Sequence, residues 1–159
     1  RELAASFKAM LTVIARQIVT VDGAIANLIA HSATLKPRIA ACTRMDGIRM
    51  RTAAALIAAM PELGTLNRRQ AAALAGLAPH PNESGLAKGY RRCRGGRPEI
   101  PTVLFMPGLR AAAGKGEFAA FYSRLVNNGK KPMVAIAAVM RKIVITLNAR
   151  IRDELKHQS

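Results

Sequence analysis

The chain of 159 residues contains no tryptophan, and four phenylalanines and two tyrosines are its only aromatic residues. So few aromatic residues, with few stretches of alternating β-branched residues, argue against a protein built on a sheet. Half of the residues are apolar and many of these are alanine, which favours helices that pack closely together. We therefore predict an all-α protein with one domain, or one domain and an appendage.

The residue types that bind metals are scarce and scattered. Cys42 and Cys93 are too few for a disulfide framework or a zinc site, and both are expected as reduced thiols in a cytoplasmic protein. His31, His80 and His157 have no ligand spacing, and the acidic residues are isolated from one another. Two-metal phosphoryl transfer needs clustered carboxylates, so we predict no metal site and no cofactor in this chain.

The sequence also lacks a secretory signal and a long uninterrupted apolar run. The longest such run, from Met133 to Met140, is ended by Arg141 and Lys142. A membrane-spanning helix needs about 20 predominantly apolar residues, so no membrane association is expected. The chain begins with Arg1 instead of Met, which suggests a fragment of a longer protein.

Positive charge is the dominant compositional feature. Lysine and arginine number 25 against 9 acidic residues, for a net charge of +16. Residues 88–159 hold 15 of the basic residues and only 4 of the acidic ones. An excess of this size opposes compactness by self-repulsion, so it indicates a polyanionic partner that faces the second half of the chain.

Apolar periodicity predicts a long helix over residues 2–33. Its apolar residues recur in alternating steps of three and four, the spacing of a coiled-coil seam: Leu11, Ile14, Ile18, Val21, Ile25 and Leu28. The same pattern fits a helix packed in an ordinary antiparallel bundle, and both interpretations stay open. Pro37 can begin a second, short helix.

The segment "MDGIRMRTAA" resembles the turn of a helix-hairpin-helix. Gly47 marks a tight turn before a helix whose exposed N–H groups could bind a phosphate, with Arg49 and Arg51 adding charge. A plain packing joint between two helices is the equally weighted alternative. Asn67 and Gln70 predict a capping box at the start of the next helix. Further helices are expected near Pro98, kinked or broken by prolines, over "KGEFAAFYSRLVNNG", and from Pro132 to about Leu155.

Residues 77–97 have no helical period and contain several glycines and prolines, so we predict a long basic loop. Arginine forks match phosphate oxygens, and an aromatic ring can stack on a base or sugar. The segment therefore indicates nucleic-acid contact, against the alternative of a solvated charge run. Its candidate contact residues are Lys88, Tyr90, Arg91, Arg92, Arg94 and Arg97.

Ser84 lies just before these cations, in "NESG". A serine hydroxyl can attack a phosphodiester if it is exposed, surrounded by positive charge and relieved of its proton. The sequence supplies exposure and charge but no evident base. By residue type alone, a serine in a loop is more often a cap or a solvent contact.

Three segments together resemble a known family. They are "RTAAALIAAMPELGTLNRRQAAALAGLAPHPNESG", "RRCRGGRPEI" and "FAAFYSRLVNNGKKPMVAIAAVMRKIVITLNARIRDE". They are similar to the C-terminal transposase domain of the bridge-RNA-guided insertion-sequence transposases, whose N-terminal domain is RNase H-like with four acidic residues. The resemblance divides the chain into a helical, coiled-coil-like arm at 1–43 and a transposase domain at 44–159.

The resemblance implies that Ser84 is the nucleophile, which attacks the scissile phosphate and forms a covalent DNA–protein intermediate. It implies that Mg²⁺ is held by the acidic N-terminal domain, that the Arg91–Arg97 segment contacts DNA or guide RNA, and that the first helix mediates homo-oligomer assembly. Two alternatives are a nucleic-acid-binding module without catalysis and an oligomerisation module in which charge is incidental.

Overall fold

The computed structural model describes residues 2–84 and 87–157, with side chains for all of these except residues 81–91. The described part is helical apart from one pair of strands, which confirms the all-α class. In chain order the elements are α1 (Glu2–His31), α2 (Leu35–Thr43), α3 (Met50–Ala59), α4 (Arg68–Leu74), β1 (Pro79–Ser84), β2 (Ala87–Cys93), α5 (Glu99–Ala113), α6 (Glu117–Asn127) and α7 (Pro132–Lys156).

The chain forms two compact units, Arg1–Lys36 and Pro37–Ser159. The first consists mainly of α1, whose predicted bounds the structure confirms to within two residues. The second holds the remaining helices and the strand pair. The predicted boundary at residues 43 and 44 separates the arm from the transposase domain by their functional roles. The structure does not test these roles, so this boundary stays a prediction.

Helix α7 is the centre of the second unit. The predicted apolar stripe of α7 is buried along its whole length, at Ile136, Val139, Ile143, Leu147 and Ile151. Helices α4, α5 and α6 all contact it. A stripe that recurs every three or four residues keeps one helix face turned inward, which explains why the periodicity located this helix so well.

Helix α5 is continuous from Glu99 to Ala113, so it is not broken at its prolines, and the kink stays a prediction. Pro101 lies in its first turn, where a proline loses no intrahelical hydrogen bond. Pro107 lies inside the helix and is buried with Gly108. A Cβ on Gly108 would lie 2.6 Å from Cγ of Met140, so the glycine permits the close approach of α5 to α7. Tertiary packing there outweighs the local cost of the proline.

The predicted capping box at α4 is confirmed. Oδ1 of Asn67 accepts hydrogen bonds from the N–H groups of Arg69 and Gln70, and the Gln70 side chain accepts one from the Asn67 N–H. The turn that precedes α4 is fixed by a buried side-chain amide, which sequence analysis did not single out. Asn148 of α7 accepts from the Gly64 N–H at 2.8 Å and donates to the Leu66 carbonyl at 2.7 Å.

The segment predicted as a long loop contains an antiparallel hairpin, so that prediction is corrected. Strands β1 and β2 pair from Pro79 with Cys93 to Ser84 with Ala87, and the register shifts between His80 and Asn82. Pro81, which has no N–H to donate, lies at this irregularity, where a proline is tolerated in a strand. The strands are polar and short, so the sequence carried no clear alternation to reveal them.

Two helices meet the length and composition expected of membrane spans, although both contain charged residues. For α7 the reason is its place in the protein core, since 44% of its most apolar window is buried. None of the corresponding window of α1 is buried. The apolar residues of this window of α1 are therefore exposed.

Two glycines hold the base of the hairpin against α4. Gly76 and Gly96 both have positive φ, +66° and +72°, and a Cβ on Gly96 would lie 2.2 Å from the Gly76 nitrogen. The backbone N–H of Arg97 donates to the Leu74 carbonyl at 2.8 Å. The chain leaving the hairpin thus passes directly over the end of α4, at a distance that excludes a side chain.

The Arg97 side chain strengthens the same junction. Its guanidinium forms a two-point ion pair with Glu62, at 2.7 and 2.6 Å, and donates to the Ala59 carbonyl at 2.5 Å. These hydrogen bonds from Arg97 lower the pKa of the Glu62 carboxyl to about 2. They also raise the pKa of Arg97. The hairpin is therefore fixed to the α3–α4 connection by charge as well as by backbone contact.

We predict that Gly96→Ala destabilises the protein more than Gly95→Ala. Both glycines have positive φ, so each alanine carries a strain of about 1–2 kcal/mol. Only at Gly96 does the new methyl meet backbone atoms, which adds about 1–3 kcal/mol of overpacking. Urea unfolding of the two variants measures the difference. Equal destabilisation would show that the close approach to Gly76 contributes nothing.

We predict that the contribution of Glu62 to stability is lost in acid. Because its pKa is lower in the folded state than the ordinary value of 4.5, the stabilisation is complete above that value and disappears as pH falls towards about 2. The difference in unfolding free energy between the wild type and Glu62→Gln should be constant above about pH 5 and shrink below it. Urea unfolding from pH 2 to 7 measures this, with Arg97→Gln completing a double-mutant cycle. A difference independent of pH would refute the pairing.

Candidate nucleic-acid interface

The turn between α2 and α3 is held by two buried side chains and leaves its polar residues at the surface. Met45 and Ile48 are buried on either side of Gly47, whose φ of +83° allows the chain to reverse direction. The Ile48 N–H donates to the Met45 carbonyl at 3.1 Å. The predicted tight turn at Gly47 is therefore confirmed, and its polar residues are left at the surface.

The first turn of α3 has no side-chain cap. Its N-cap residue, Arg49, has extended backbone angles and makes no capping hydrogen bond from its side chain. The first N–H groups of a helix have no intrahelical acceptor and form the positive end of its dipole. This end of α3 can therefore attract an anion, as predicted from the sequence.

Three arginines line a cavity beside this helix end. The cavity has a volume of about 720 Å³, and its polar lining includes Gly47, Arg49, Arg51 and Arg110. Arg110 belongs to α5, and its Cδ lies 3.6 Å from the position that a Gly47 Cβ would occupy. Asp46 also lines the cavity and opposes the attraction of an anion. We name the cavity with these residues the turn cavity.

Sequence analysis missed Arg110 because it is 59 residues or more from the other two arginines. Only the packing of α5 against α3 brings it to the turn. A single arginine near the end of an apolar helix carries no periodic or motif signal. Its proximity to a glycine turn could have been inferred only from a correct assignment of helix contacts.

The hairpin presents a second group of cations. Arg92 and Arg94 are exposed, and Arg92 lines a groove of about 360 Å³ together with Arg141 of α7. The rest of the lining is largely apolar and includes Met133 and Val134. Arg141, like Arg110, was not predicted as a contact residue, because it reads as the end of an apolar run. We name this surface the hairpin groove.

The predicted contact residues are thus distributed over different environments. Arg49 and Arg51 lie at the turn cavity, whereas Arg92 lies at the hairpin groove and Arg94 is exposed at the end of β2. Arg97 has partners inside the protein, and its geometry favours a structural role. Its contact with nucleic acid stays a prediction.

Four further predicted residues have side chains outside the described residues: Ser84, Lys88, Tyr90 and Arg91. The backbone register gives their place in the hairpin. Ser84 is the last residue of β1 and pairs with Ala87, the pair most distant from Pro79 and Cys93 at the base. Lys88 pairs with Glu83 in the neighbouring position.

The remaining reactive groups suggest no second chemistry. Burial raises the pKa of the Cys42 thiol to about 11, so this cysteine is unreactive at neutral pH. His80 is exposed, as expected of a surface histidine. Among the residues whose side chains the structure describes, 2–80 and 92–157, no three His, Cys, Asp or Glu residues are grouped in a way that could hold a metal ion.

Two comparisons with known proteins agree with this description. The profile of the transposase IS116/IS110/IS902 family matches residues 40–123, a little over half of the chain. The matched region includes the turn cavity and both strands of the hairpin. The chain is also 30% identical over 140 residues to the pilin gene-inverting protein of Moraxella bovis.

That second match covers 86% of this chain but 44% of the Moraxella protein, so the chain spans less than half the length of its relative. The extent of the family match identifies the chain as a member of the transposase IS116/IS110/IS902 family.

Proposed function

We propose that this chain is the nucleic-acid-binding C-terminal part of a transposase and holds DNA by its sugar–phosphate backbone. The observation that carries the proposal is that Arg49 and Arg110 line the turn cavity together with Arg51. The uncapped end of α3 opens beside them. Guanidinium groups and helix N–H groups both bind phosphate oxygens, and neither requires a particular base.

The overall charge supports the same function. With a net charge of +16, the chain attracts a polyanion from a distance and gains affinity by releasing counterions from it. Several cations are used internally, among them Arg38, Arg44, Arg97 and Lys142. A nucleic acid can reach the cations that line the turn cavity and the hairpin groove of the same compact unit, namely Arg49, Arg110, Arg92 and Arg141.

We further propose that Ser84 is the nucleophile of strand exchange. Its Oγ would form an ester bond to the scissile phosphorus while the bond from phosphorus to the departing nucleoside oxygen breaks and that oxygen takes up a proton. Support comes from the family membership and from the place of Ser84 at the end of β1. The junction of Arg97 with Glu62 fixes the base of this hairpin.

Catalysis would require groups that this chain does not supply. We propose that the acid-rich N-terminal domain of the family brings Mg²⁺ and the carboxylates that hold it, in a site completed by several protomers. Guide RNA is a further candidate partner, and the backbone contacts described here would suit either nucleic acid. The whole chain is expected to reside in the cytoplasm, in agreement with its family.

A non-catalytic binding module is the second candidate function. It is favoured by the pairing of Glu62 with Arg97, which lowers the pKa of this carboxylate to about 2 and makes it a poor proton acceptor. On this view the isolated chain binds nucleic acid and neither cuts nor joins it. The two functions differ only in the requirement for Ser84.

We predict that Arg110→Gln weakens DNA binding several-fold and lowers the dependence of log Kd on log salt concentration by about one phosphate contact. Fluorescence anisotropy with a labelled 20-base-pair duplex, measured from 50 to 300 mM NaCl, tests this. Lys115→Gln is the matched control, since it also removes one exposed positive charge but lies outside the turn cavity. An equal loss for both variants would reduce the effect to net charge and overturn the assignment of the cavity.

We predict that Ser84→Ala abolishes strand exchange and leaves DNA affinity within about twofold, because it removes an attacking oxygen but no charge. The measurement requires this chain joined to an RNase H-like domain of its family, with recombination of a plasmid substrate as the readout. Trapping of a covalent DNA–protein species gives a second readout. Ser123→Ala on α6, an exposed serine, is the control. Recombination that persists in Ser84→Ala would leave the non-catalytic function.

A further inference from the structure

The hairpin groove adjoins a second cavity, which reaches α5. This cavity has a volume of about 570 Å³, and its lining includes Phe105 of α5. Each of the two volumes lies in the range of pockets that hold small organic groups. The two cavities share four lining residues: Leu77, Cys93, Met133 and Ala137. We name the hairpin groove and this cavity together the joint groove.

The joint groove is lined almost entirely by apolar side chains. Thr102 carries the only hydroxyl group among its described lining residues, and none of these residues is a carboxylate or a side-chain amide. Several of the apolar residues are exposed to water, with exposed fractions of 62% at Met133, 55% at Val134 and 36% at Phe105. Exposed apolar side chains that line a concave surface are typical of a binding site.

Two arginines from different elements also line the joint groove. They are Arg92 of β2 and Arg141 of α7. Neither forms an ion pair with a carboxylate whose side chain the structure describes. A guanidinium binds a phosphate through two parallel hydrogen bonds, and its planar face can stack on an aromatic ring. The groove therefore combines anion-binding groups with apolar walls.

A ligand that matches both features is anionic and carries flat apolar groups. A DNA duplex presents its phosphates and the edges of its bases, but the faces of the bases are stacked inside it. An unpaired strand presents base faces as well as phosphates, and such bases stack on aromatic side chains while cations follow the backbone. The joint groove therefore favours unpaired nucleotides over a duplex.

The lining of the joint groove also favours DNA over RNA. A ribose 2′-hydroxyl needs a hydrogen-bond partner when it is buried, and apolar walls supply almost none. Deoxyribose carries no such group and loses nothing there. An acidic amphipathic helix would match the arginines and the apolar walls too, but membership of a transposase family favours a DNA strand.

We infer that the joint groove binds unpaired nucleotides of a single DNA strand, with base faces against Phe105 and Met133 and phosphates on Arg92 and Arg141. Strand exchange requires base pairs to open, so unpaired bases occur in the proposed reaction. The inference rests on the proposed DNA-binding function and adds a second site to it. The turn cavity holds the backbone, and the joint groove holds bases that have lost their partners.

Binding of matched strands to the full chain tests the role of the bases. The probes are a ten-nucleotide thymidine strand, an abasic strand with the same number of phosphates, and the 20-base-pair duplex, measured by fluorescence anisotropy. We expect the thymidine strand to bind about tenfold more tightly than the abasic strand, because only its bases can stack. Phe105→Leu, which keeps an apolar side chain but removes the ring, should reduce this difference to about twofold.

Phe7→Leu on α1 is the matched control, since Phe7 is also an exposed phenylalanine but lies outside the joint groove. It should leave the tenfold difference unchanged. Equal affinity of the wild type for the thymidine and abasic strands, or an equal effect of the two substitutions, would overturn the inference. Failure of the proposed function has a different signature, because the duplex would then not bind either.

Cys93 lines both cavities and reports whether the joint groove is covered. Its thiol is exposed, whereas Cys42 is buried and its pKa is raised to about 11, so iodoacetamide modifies Cys93 selectively at neutral pH. At saturating concentrations the thymidine strand should slow this alkylation several-fold, and the abasic strand should not. Equal protection by both strands, or protection by a helical peptide of leucine and glutamate but not by the thymidine strand, would overturn the inference.

A pair of strands that differ only in the 2′-hydroxyl tests the choice of DNA. Ten-nucleotide strands of deoxyuridine and of uridine are compared by the same anisotropy measurement. We expect the deoxyuridine strand to bind several-fold more tightly, because the apolar walls offer the 2′-hydroxyl almost no partner. Equal or tighter binding of the uridine strand would overturn the assignment of the groove to DNA.

Discussion

The ion pair between Arg97 and Glu62 holds the hairpin to the helical core, and the part of the candidate interface that lies on the hairpin depends on it. The pair closes a loop that begins at α4, passes through both strands and returns over Gly76. Without it, the junction would keep the backbone hydrogen bond from Arg97 to Leu74 and the packing of Gly96 on Gly76, but no ion pair. The position of Ser84 relative to the surface arginines is therefore set by a residue that need not touch nucleic acid.

This arrangement explains how so basic a chain remains compact. Arginines with internal partners hold the connections between helices: Arg38 donates to the carbonyl groups of Pro61 and Leu63, and Arg44 pairs with Glu154. Lys142 lies over the rings of Phe118 and Phe121 and pairs with Glu117. The remaining positive charge is concentrated at the surface, where its mutual repulsion is reduced by solvent and would fall further on contact with phosphates.

Periodicity predicted α7 well, because this helix buries one regular stripe from Ile136 to Ile151, and it also predicted α1, whose apolar stripe is exposed. Local chemistry also predicted the capping box at Asn67. Sequence analysis failed where long-range contacts outweigh local preference. Pro107 stays in a helix because Gly108 packs on Met140, and the hairpin strands are ordered beside two glycines that meet only in the folded chain.

In the candidate site, too, residues with a local sequence signal were predicted, and residues that depend on long-range contacts were missed. Arg49 and Gly47 were predicted because a glycine turn before a helix is a local signal, and Arg110 was missed because only the contact of α5 with α3 brings it there. Arg97 was predicted as a contact to nucleic acid, whereas its guanidinium is bonded to Glu62 inside the protein. A run of arginines in sequence suggested one shared role, but folding turns this one inward to a carboxylate while Arg92 and Arg94 stay exposed.

The use of the carboxylates constrains how Ser84 could act. A serine hydroxyl is a weak nucleophile until a neighbouring group accepts its proton or a metal stabilises its anion. Glu62 is a poor proton acceptor near neutral pH, because hydrogen bonds from Arg97 lower its pKa to about 2, and Glu117 is likewise stabilised as an anion by Lys142. These two carboxylates are therefore poor candidates for the base that would activate Ser84.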